Sequence, residues 1–319
     1  MNILCYGYYG PDKRNVGDML FKEAFNKLFP EHIFTFTDII TKEDLSKADA
    51  VFIGGGSLLD GAPSFCMEFY EWPKPIIYLG VGAETNINAQ HITPMRNAKL
   101  ICTRTPGHIE KVRAINPNVI AAPDLVYSLA SEITAKPIEK TVLVLPNINM
   151  VPMHSSAHWQ HIVWNLYRAE LAAALDILIE RGFMVRFYGM DQTDKMMDEW
   201  ASQEIINAME NRNNNYIIRG YFGSKSLLEM VRSFDMVITS RYHGVICAEL
   251  AQVPYASIAH HSKLMGAGYR AGCFMTVNEA SKDRLLKAVE TRHSQVKADI
   301  QLSDFDELKK RVKEVLQPA

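Results

Sequence analysis

Short apolar runs alternate with longer amphipathic stretches along the whole chain. Strand-like runs fall near 3–6, 32–36, 50–53, 75–79, 100–103 and 119–121, most of them ending in glycine or a polar turn. Helical periodicity fills the intervals, beginning with 18–28. Apolar runs of this length with helices between them predict a parallel sheet covered on both faces. The periodicity fades over 127–140, which contains Lys136-Pro137. A second series then begins: strands near 141–145, 184–188, 216–218, 236–240, 255–259 and 274–277, with helices over 157–181, 194–210, 224–234 and 245–251. Amphipathic segments over 281–292 and 303–316 close the chain.

The pattern predicts an α/β protein of two Rossmann-like domains facing across a cleft, in a GT-B-like layout. The first covers 1–130 and the second 141–300, and a helix in 301–319 is expected to pack back on the first. With 319 residues the chain is long for one core and comfortable for two. A formal net charge of −2 gives no support to nucleic-acid binding, which calls for a strongly basic domain. The five cysteines are scattered without C-x-x-C spacing and read as buried thiols in a reducing compartment. The apolar helix over 162–179 is interrupted by Asn165, Arg168, Glu170 and Asp176, too polar to span a bilayer. The expected location is cytoplasmic, with peripheral contact at the inner face of the membrane arising through the substrate.

Several strand ends carry candidate chemistry. Asn15-Val16-Gly17-Asp18 follows the first strand. Asp18 reads either as the cap of the next helix or as a cleft carboxylate that positions or deprotonates a hydroxyl. Gly54-Gly55-Gly56-Ser57 reads as close packing or as backbone approach to a ligand, with Ser57 capping a following helix. Arg104 stands at a strand end, and Asp124 after Pro123 reads as a cap or as its partner. His154, His158 and His161 have helical spacing but no completing carboxylate, so no metal site is assigned. His260-His261 follow a strand and precede Lys263, and either histidine suits a cleft position.

The most informative stretch is Ser240-Arg241-Tyr242-His243-Gly244, where the run 236–239 gives way to a helix. Strand ends of open α/β sheets bind ligands, and the helix that follows turns its positive end toward an anion. Arginine supplies a bidentate fork, histidine a proton near neutral pH, and Lys263, after the next strand, a point charge.

In these motifs the chain resembles the polysaccharide pyruvyl transferase family: Asn15-Val16-Gly17-Asp18, the triple glycine before Ser57, Gly80-Val81-Gly82, Arg104, Pro123-Asp124 and above all Ser240–Gly244. That last block continues through Ala248, Val253-Pro254 and Lys263. His260-His261-Ser262 departs from the pattern, standing where relatives often carry a tyrosine. The resemblance implies a transferase of surface-polysaccharide synthesis with phosphoenolpyruvate as co-substrate. It moves the enolpyruvyl unit onto two hydroxyls of a sugar in a glycan or lipid-linked oligosaccharide, giving a pyruvate ketal and phosphate. It places Arg241, His243, Lys263 and Arg104 at the donor.

The reaction requires an acid and a base, and no metal or redox cofactor. His243 is the candidate acid and Asp18 the candidate base, with Arg241 completing the catalytic set. Asn15, Gly17, Gly55, Gly56 and Ser57 are expected on the acceptor side or along the cleft. The competing expectation is a GT-B glycosyltransferase with a nucleotide-sugar donor, its ribose held by Glu249. A non-catalytic sugar- or anion-binding protein is the third.

Overall fold

A computed structural model describes residues 1–10, 15–82, 86–104, 109–148, 157–193, 197–212, 216–260, 264, 274–291, 300 and 302–317. The chain divides into two compact units, Met1–Ala130 with Ile300–Ala319, and Ser131–Asp299.

Unit 1 is built on a six-stranded parallel sheet in the order β2-β1-β3-β4-β5-β6. Its strands are β1 (Asn2–Tyr6), β2 (Ile33–Thr37), β3 (Ala50–Gly56), β4 (Ile76–Val81), β5 (Leu100–Thr103) and β6 (Val119–Ala121). Between them lie α1 (Val16–Leu28), α2 (Lys42–Lys47), α3 (Ala89–Asn97) and α4 (Ile109–Arg113). The central strands β3 to β5 are buried along almost their whole length, which is why they read as unbroken apolar runs.

Unit 2 carries a second six-stranded parallel sheet, in the order β12-β11-β10-β7-β8-β9. Its strands are β7 (Ile138–Leu145), β8 (Met184–Tyr188), β9 (Tyr216–Ile218), β10 (Phe234–Thr239), β11 (Tyr255–Ala259) and β12 (Phe274–Thr276). The helices are α5 (Ala157–Glu180), α6 (Met197–Ala208), α7 (Ser224–Arg232), α8 (Tyr242–Leu250) and α9 (Lys282–Thr291). One continuous apolar cluster packs α5, α6 and α9 on this sheet through Leu171, Leu175, Phe187, Ile205, Ile238 and Leu285. The last helix, α10 (Asp306–Leu316), belongs to unit 1 and buries Leu308, Val312 and Leu316 near β5. Among the described residues no helix is long and apolar enough to cross a membrane.

Both strand orders contain a reversal. In unit 1 the chain moves to one side of β1 to make β2 and to the other to make β3. In unit 2, β7 is followed by β8 and β9 on one side and by β10 to β12 on the other. Loops leaving the two strands at such a reversal diverge and open a crevice at the carboxyl edge, where ligands of open α/β sheets bind. The unit 1 crevice lies between the ends of β1 and β3, and the unit 2 crevice between those of β7 and β10.

Candidate functional site

The unit 2 crevice is formed where β10 ends. Ser240 N donates to Leu145 O at 3.1 Å, continuing the ladder one residue past β7, and Arg241 N donates to the Thr239 hydroxyl at 3.0 Å. Arg241 is extended (φ −105°, ψ 131°) and serves as N-cap of α8, whose first helical bond runs from Val245 N to Arg241 O. The positive end of the α8 dipole therefore opens on the crevice. Gly244 has a steric cause. A Cβ there would lie 2.3 Å from Thr239 Oγ1 and 2.9 Å from Leu145 Cδ1, so only glycine lets α8 start so close to β7 and β10.

The Arg241 guanidinium is held by a buried carboxylate. Its Nε donates to Asp198 Oδ2 at 2.8 Å and its Nη2 to Asp198 Oδ1, a bidentate fork. Asp198, in the first turn of α6, is fully buried and also accepts from the backbone N–H groups of Met190 and Asp191 at 3.0 and 2.9 Å. Burial pushes its carboxyl above the ordinary range, and the charge and donors of Arg241 pull against that shift. The arginine side chain is 18% exposed while its partner is 0% exposed. One edge of the guanidinium is thus locked inward and its outer part reaches the surface. His243, half-buried in the first turn of α8, packs edge-on against Tyr242 with ring centroids 5.2 Å apart.

Asn147 and His260 complete the edge. Asn147 follows β7 and is buried, and its Nδ2 lies 3.0 Å from His260 Nε2. Because β10 lies between β7 and β11, this contact bridges the end of β10. With the amide donating, the neutral imidazole carries its proton on Nδ1. Of the two adjacent histidines, His260 holds this place, while His261 and Lys263 lie outside the described residues. Asp198, Asp191 and Asn147 were not among the residues expected from sequence. An aspartate in the first turn of a helix just beyond a strand end, and a polar residue directly after β7, are the signals that point to them.

The unit 1 crevice gathers other expected residues, with two corrections. Asn15, rather than Asp18, caps α1, its side chain accepting from Gly17 N at 2.9 Å. Asp18 lies within the first turn, half-buried, close enough that its charge helps raise the Tyr9 phenol. Burial is the largest cause of that shift, and Tyr9 donates to Gly54 O at 2.5 Å. The triple glycine ends β3 and leads only into a three-residue 3₁₀ turn, so no helix terminus for an anion follows it and Ser57 makes no capping bond. Gly54 and Gly55 are required by packing: a Cβ would lie 2.2 Å from Leu79 O at Gly54 and 2.7 Å from Tyr9 Oη at Gly55. Gly56 has φ +86° and open space around it.

The Arg104 side chain is 2% exposed and pairs with Asp124 at 3.3 Å, and its Nη2 donates to Ser57 Oγ at 2.9 Å. Asp124 fills both of its expected roles, since its other oxygen accepts from Val126 N at 3.1 Å. Arg104 therefore ties the ends of β3, β5 and β6 together inside unit 1. Glu249 is likewise buried, at 2% exposure, and accepts the Tyr255 hydroxyl at 2.8 Å. His154 lies outside the described residues, and His158 and His161 are exposed on α5. Among the described residues no three His, Cys, Asp or Glu side chains converge.

Comparison with known proteins places this geometry. The chain is similar in fold to UDP-GlcNAc 2-epimerases, including one from Methanocaldococcus jannaschii solved with UDP-GlcNAc and UDP. That pair shares 11% identity over 98% of this chain and 100% of the other, with a TM-score of 0.62. The enzyme from Neisseria meningitidis bound to UDP-GlcNAc matches at 10% identity, 99% of each chain and 0.58. The one from Rickettsia bellii matches at 13% identity over 99% and 96% of the chains and 0.55. Likeness at this identity concerns architecture alone, and it agrees with a two-domain α/β fold of GT-B-like type. No curated protein matches the sequence. The family described as polysaccharide pyruvyl transferase matches residues 15–262, a span that includes the Arg241–Asp198 pair, and the chain belongs to that family.

Proposed function

We propose that this protein transfers the enolpyruvyl unit of phosphoenolpyruvate to two hydroxyls of a sugar, forming a pyruvate ketal and releasing phosphate. The observation that carries the reading is the unit 2 crevice. There a preorganised arginine, a histidine and the positive end of α8 converge at a topological switch point. Phosphoenolpyruvate carries a carboxylate and a phosphate on the same carbon and calls for this combination of a planar fork and helix N–H groups.

In the proposed chemistry His243 delivers a proton to the methylene carbon, leaving positive charge on the carbon that bears the phosphate. A sugar hydroxyl attacks that carbon and loses its proton to a base, for which Asp18 is the candidate. The second hydroxyl then forms the second C–O bond as the C–O bond to phosphate breaks, and its proton passes to the departing phosphate. Phosphate leaves with its bonding pair, and no electrons are gained or lost overall. Arg241 holds the anion throughout, and Asp198 holds Arg241. Acid–base assistance of this kind contributes about 10²–10⁴-fold. The acceptor is a sugar of a polysaccharide or its lipid-linked precursor, met at the cytoplasmic face of the membrane.

A nucleotide-sugar donor is the competing reading, and the buried state of Glu249 weighs against the ribose contact it needs. A thermal-shift panel separates the two, because a ligand that binds only the native state stabilises it, by about 2.7 kcal/mol at a hundredfold excess over Kd. Stabilisation by phosphoenolpyruvate and indifference to UDP- and GDP-sugars is the expected outcome. The reverse result would overturn the assignment.

A further inference from the structure

Beside the switch point, after β9, the chain runs Arg219-Gly220-Tyr221-Phe222-Gly223 into α7. This loop and the end of β8 border a small, open apolar pocket lined by Tyr188, Gly220, Tyr221, Phe222, Leu227 and Met230. Among the described residues Phe222, 81% exposed, is the most exposed large apolar side chain, and its ring lies close to Gly220. Gly220 adopts φ +92°, and a Cβ there would lie 2.9 Å from Phe222 Cε2, so the missing side chain is what lets the ring lie over the loop. The Gly220 carbonyl in turn accepts from Tyr188 Oη at 3.2 Å and faces Gln192 Nε2 at 3.5 Å, tying the loop to the end of β8. On the rim, Arg219 Nε donates to Glu199 at 3.0 Å. Glu199 is the residue after Asp198, so consecutive acids in the first turn of α6 hold the cavity wall and the crevice arginine.

We propose that this cavity receives a sugar ring of the acceptor glycan, a reading that rests on the pyruvyl-transfer assignment. An exposed aromatic face with a few polar groups at its border suits a pyranose. The C–H face of the ring packs on Phe222, and its equatorial hydroxyls meet Arg219 and Glu199. The pocket lies on the carboxyl edge of the same sheet that carries the proposed donor site. Phosphoenolpyruvate itself has no ring to fill an aromatic pocket, whereas a family acting on polysaccharides always brings one.

The test uses the full chain on a broad panel of immobilised oligosaccharides and polysaccharides, without phosphoenolpyruvate. Wild-type protein is expected to bind a subset of glycans. F222A is expected to weaken that binding at least about tenfold, about 1.4 kcal/mol, and F222W to restore it. Because Phe222 is exposed, its truncation leaves the core untouched, and circular dichroism of F222A should match wild type. Absence of wild-type binding, or undiminished binding by F222A, would overturn the proposal. So would displacement of bound glycan by uridine but not by free sugar, which assigns the cavity to a nucleoside base. Glycan binding that persists in a protein unable to release phosphate from phosphoenolpyruvate would sink the pyruvyl-transfer reading and leave a sugar-binding cavity standing.

Discussion

Each unit places an arginine just after a strand of its parallel sheet and pairs it with a buried aspartate. In unit 1, Arg104 and Asp124 are 2% and 1% exposed, and Ser57 takes a further guanidinium N–H. In unit 2, Asp198 is as deeply buried, but Arg241 is 18% exposed and stands at the start of a nine-residue helix beside His243. The pairing is the same and the surroundings differ. A guanidinium enclosed by protein partners ties strand ends together. The other, gripped by Asp198 with Asp191 Oδ2 4.0 Å from its Nη2, stays partly exposed beside a helix terminus, which is the arrangement the proposed anion site uses. An Arg–Asp pair at a strand end therefore does not define a site, and exposure with a second anion-seeking group does.

The comparison is broken most directly by neutralising both partners of each pair. Removing one partner of a buried ion pair strands the other charge, whereas replacing both is often nearly neutral for stability. R241M/D198N is expected to fold and to lose at least about a hundredfold in turnover, as is H243N, in keeping with the size of acid–base and anion contributions. The Asn at 198 keeps an acceptor for the backbone N–H groups of Met190 and Asp191. R104M/D124N is expected to fold and to turn over within about threefold of wild type, a difference under roughly 1 kcal/mol. Equal loss in both double variants would show that the unit 1 pair also touches substrate.

The single variants probe stability. R104M alone leaves Asp124 buried and unpaired and should cost about 3–5 kcal/mol. Hydrogen exchange should show that loss in unit 1, and D124N added to it should recover most of it. R241A should cost a comparable amount in unit 2, so its inactivity is interpretable only beside the double variant.

A smaller effect separates the units by pH. His91 of α3 is 1% exposed, its Nδ1 3.5 Å from Tyr78 Oη, and burial lowers its pKa from 6.5 to about 4. Between those values the unfolded chain binds the proton and the folded unit does not. Stability present above pH 6.5 is therefore lost as pH falls through 4, by roughly 3 kcal/mol at 1.36 kcal/mol per unit. Exchange measured at pH 7 and pH 4.5 should show unit 1 losing protection, and H91Q should flatten that dependence. The smallest expected effect is G244A, whose Cβ collides with the Thr239 hydroxyl. A cost of about 1–3 kcal/mol is expected in unit 2, with weakened phosphoenolpyruvate binding as α8 shifts.

The sheets were legible because buried parallel strands leave a strong signal. Runs such as 50–53, 100–103 and 236–239 are apolar throughout and end in turn residues. Arg241 and His243 were visible for a local reason, a cation and an imidazole two residues apart where a strand becomes a helix. Their supports were not. Asp198 reaches Arg241 across 43 residues, and Asn147 meets His260 across 113. Both contacts depend on which strand ends are neighbours. Strand order is set by crossover packing of the whole unit and is not written in any window of sequence. The burial of Arg104 was not legible for a related reason: a strand-end arginine looks the same in sequence whether or not the fold closes over it. At Asn15–Asp18 two residues competed for one cap. Asn15 took it because its extended backbone precedes the first turn, leaving Asp18 inside the helix.

The central claim is that the unit 2 crevice turns over phosphoenolpyruvate with a glycan. The direct measurement is phosphate release from phosphoenolpyruvate across an acceptor panel, with mass spectrometry of the glycan product, for wild type, H243N and R241M/D198N. The account predicts acceptor-dependent phosphate and a product carrying a pyruvate ketal with wild type, both reduced at least about a hundredfold in the two variants. Phosphate release that survives in both variants, or a wild-type product bearing a transferred sugar instead of a ketal, would contradict it.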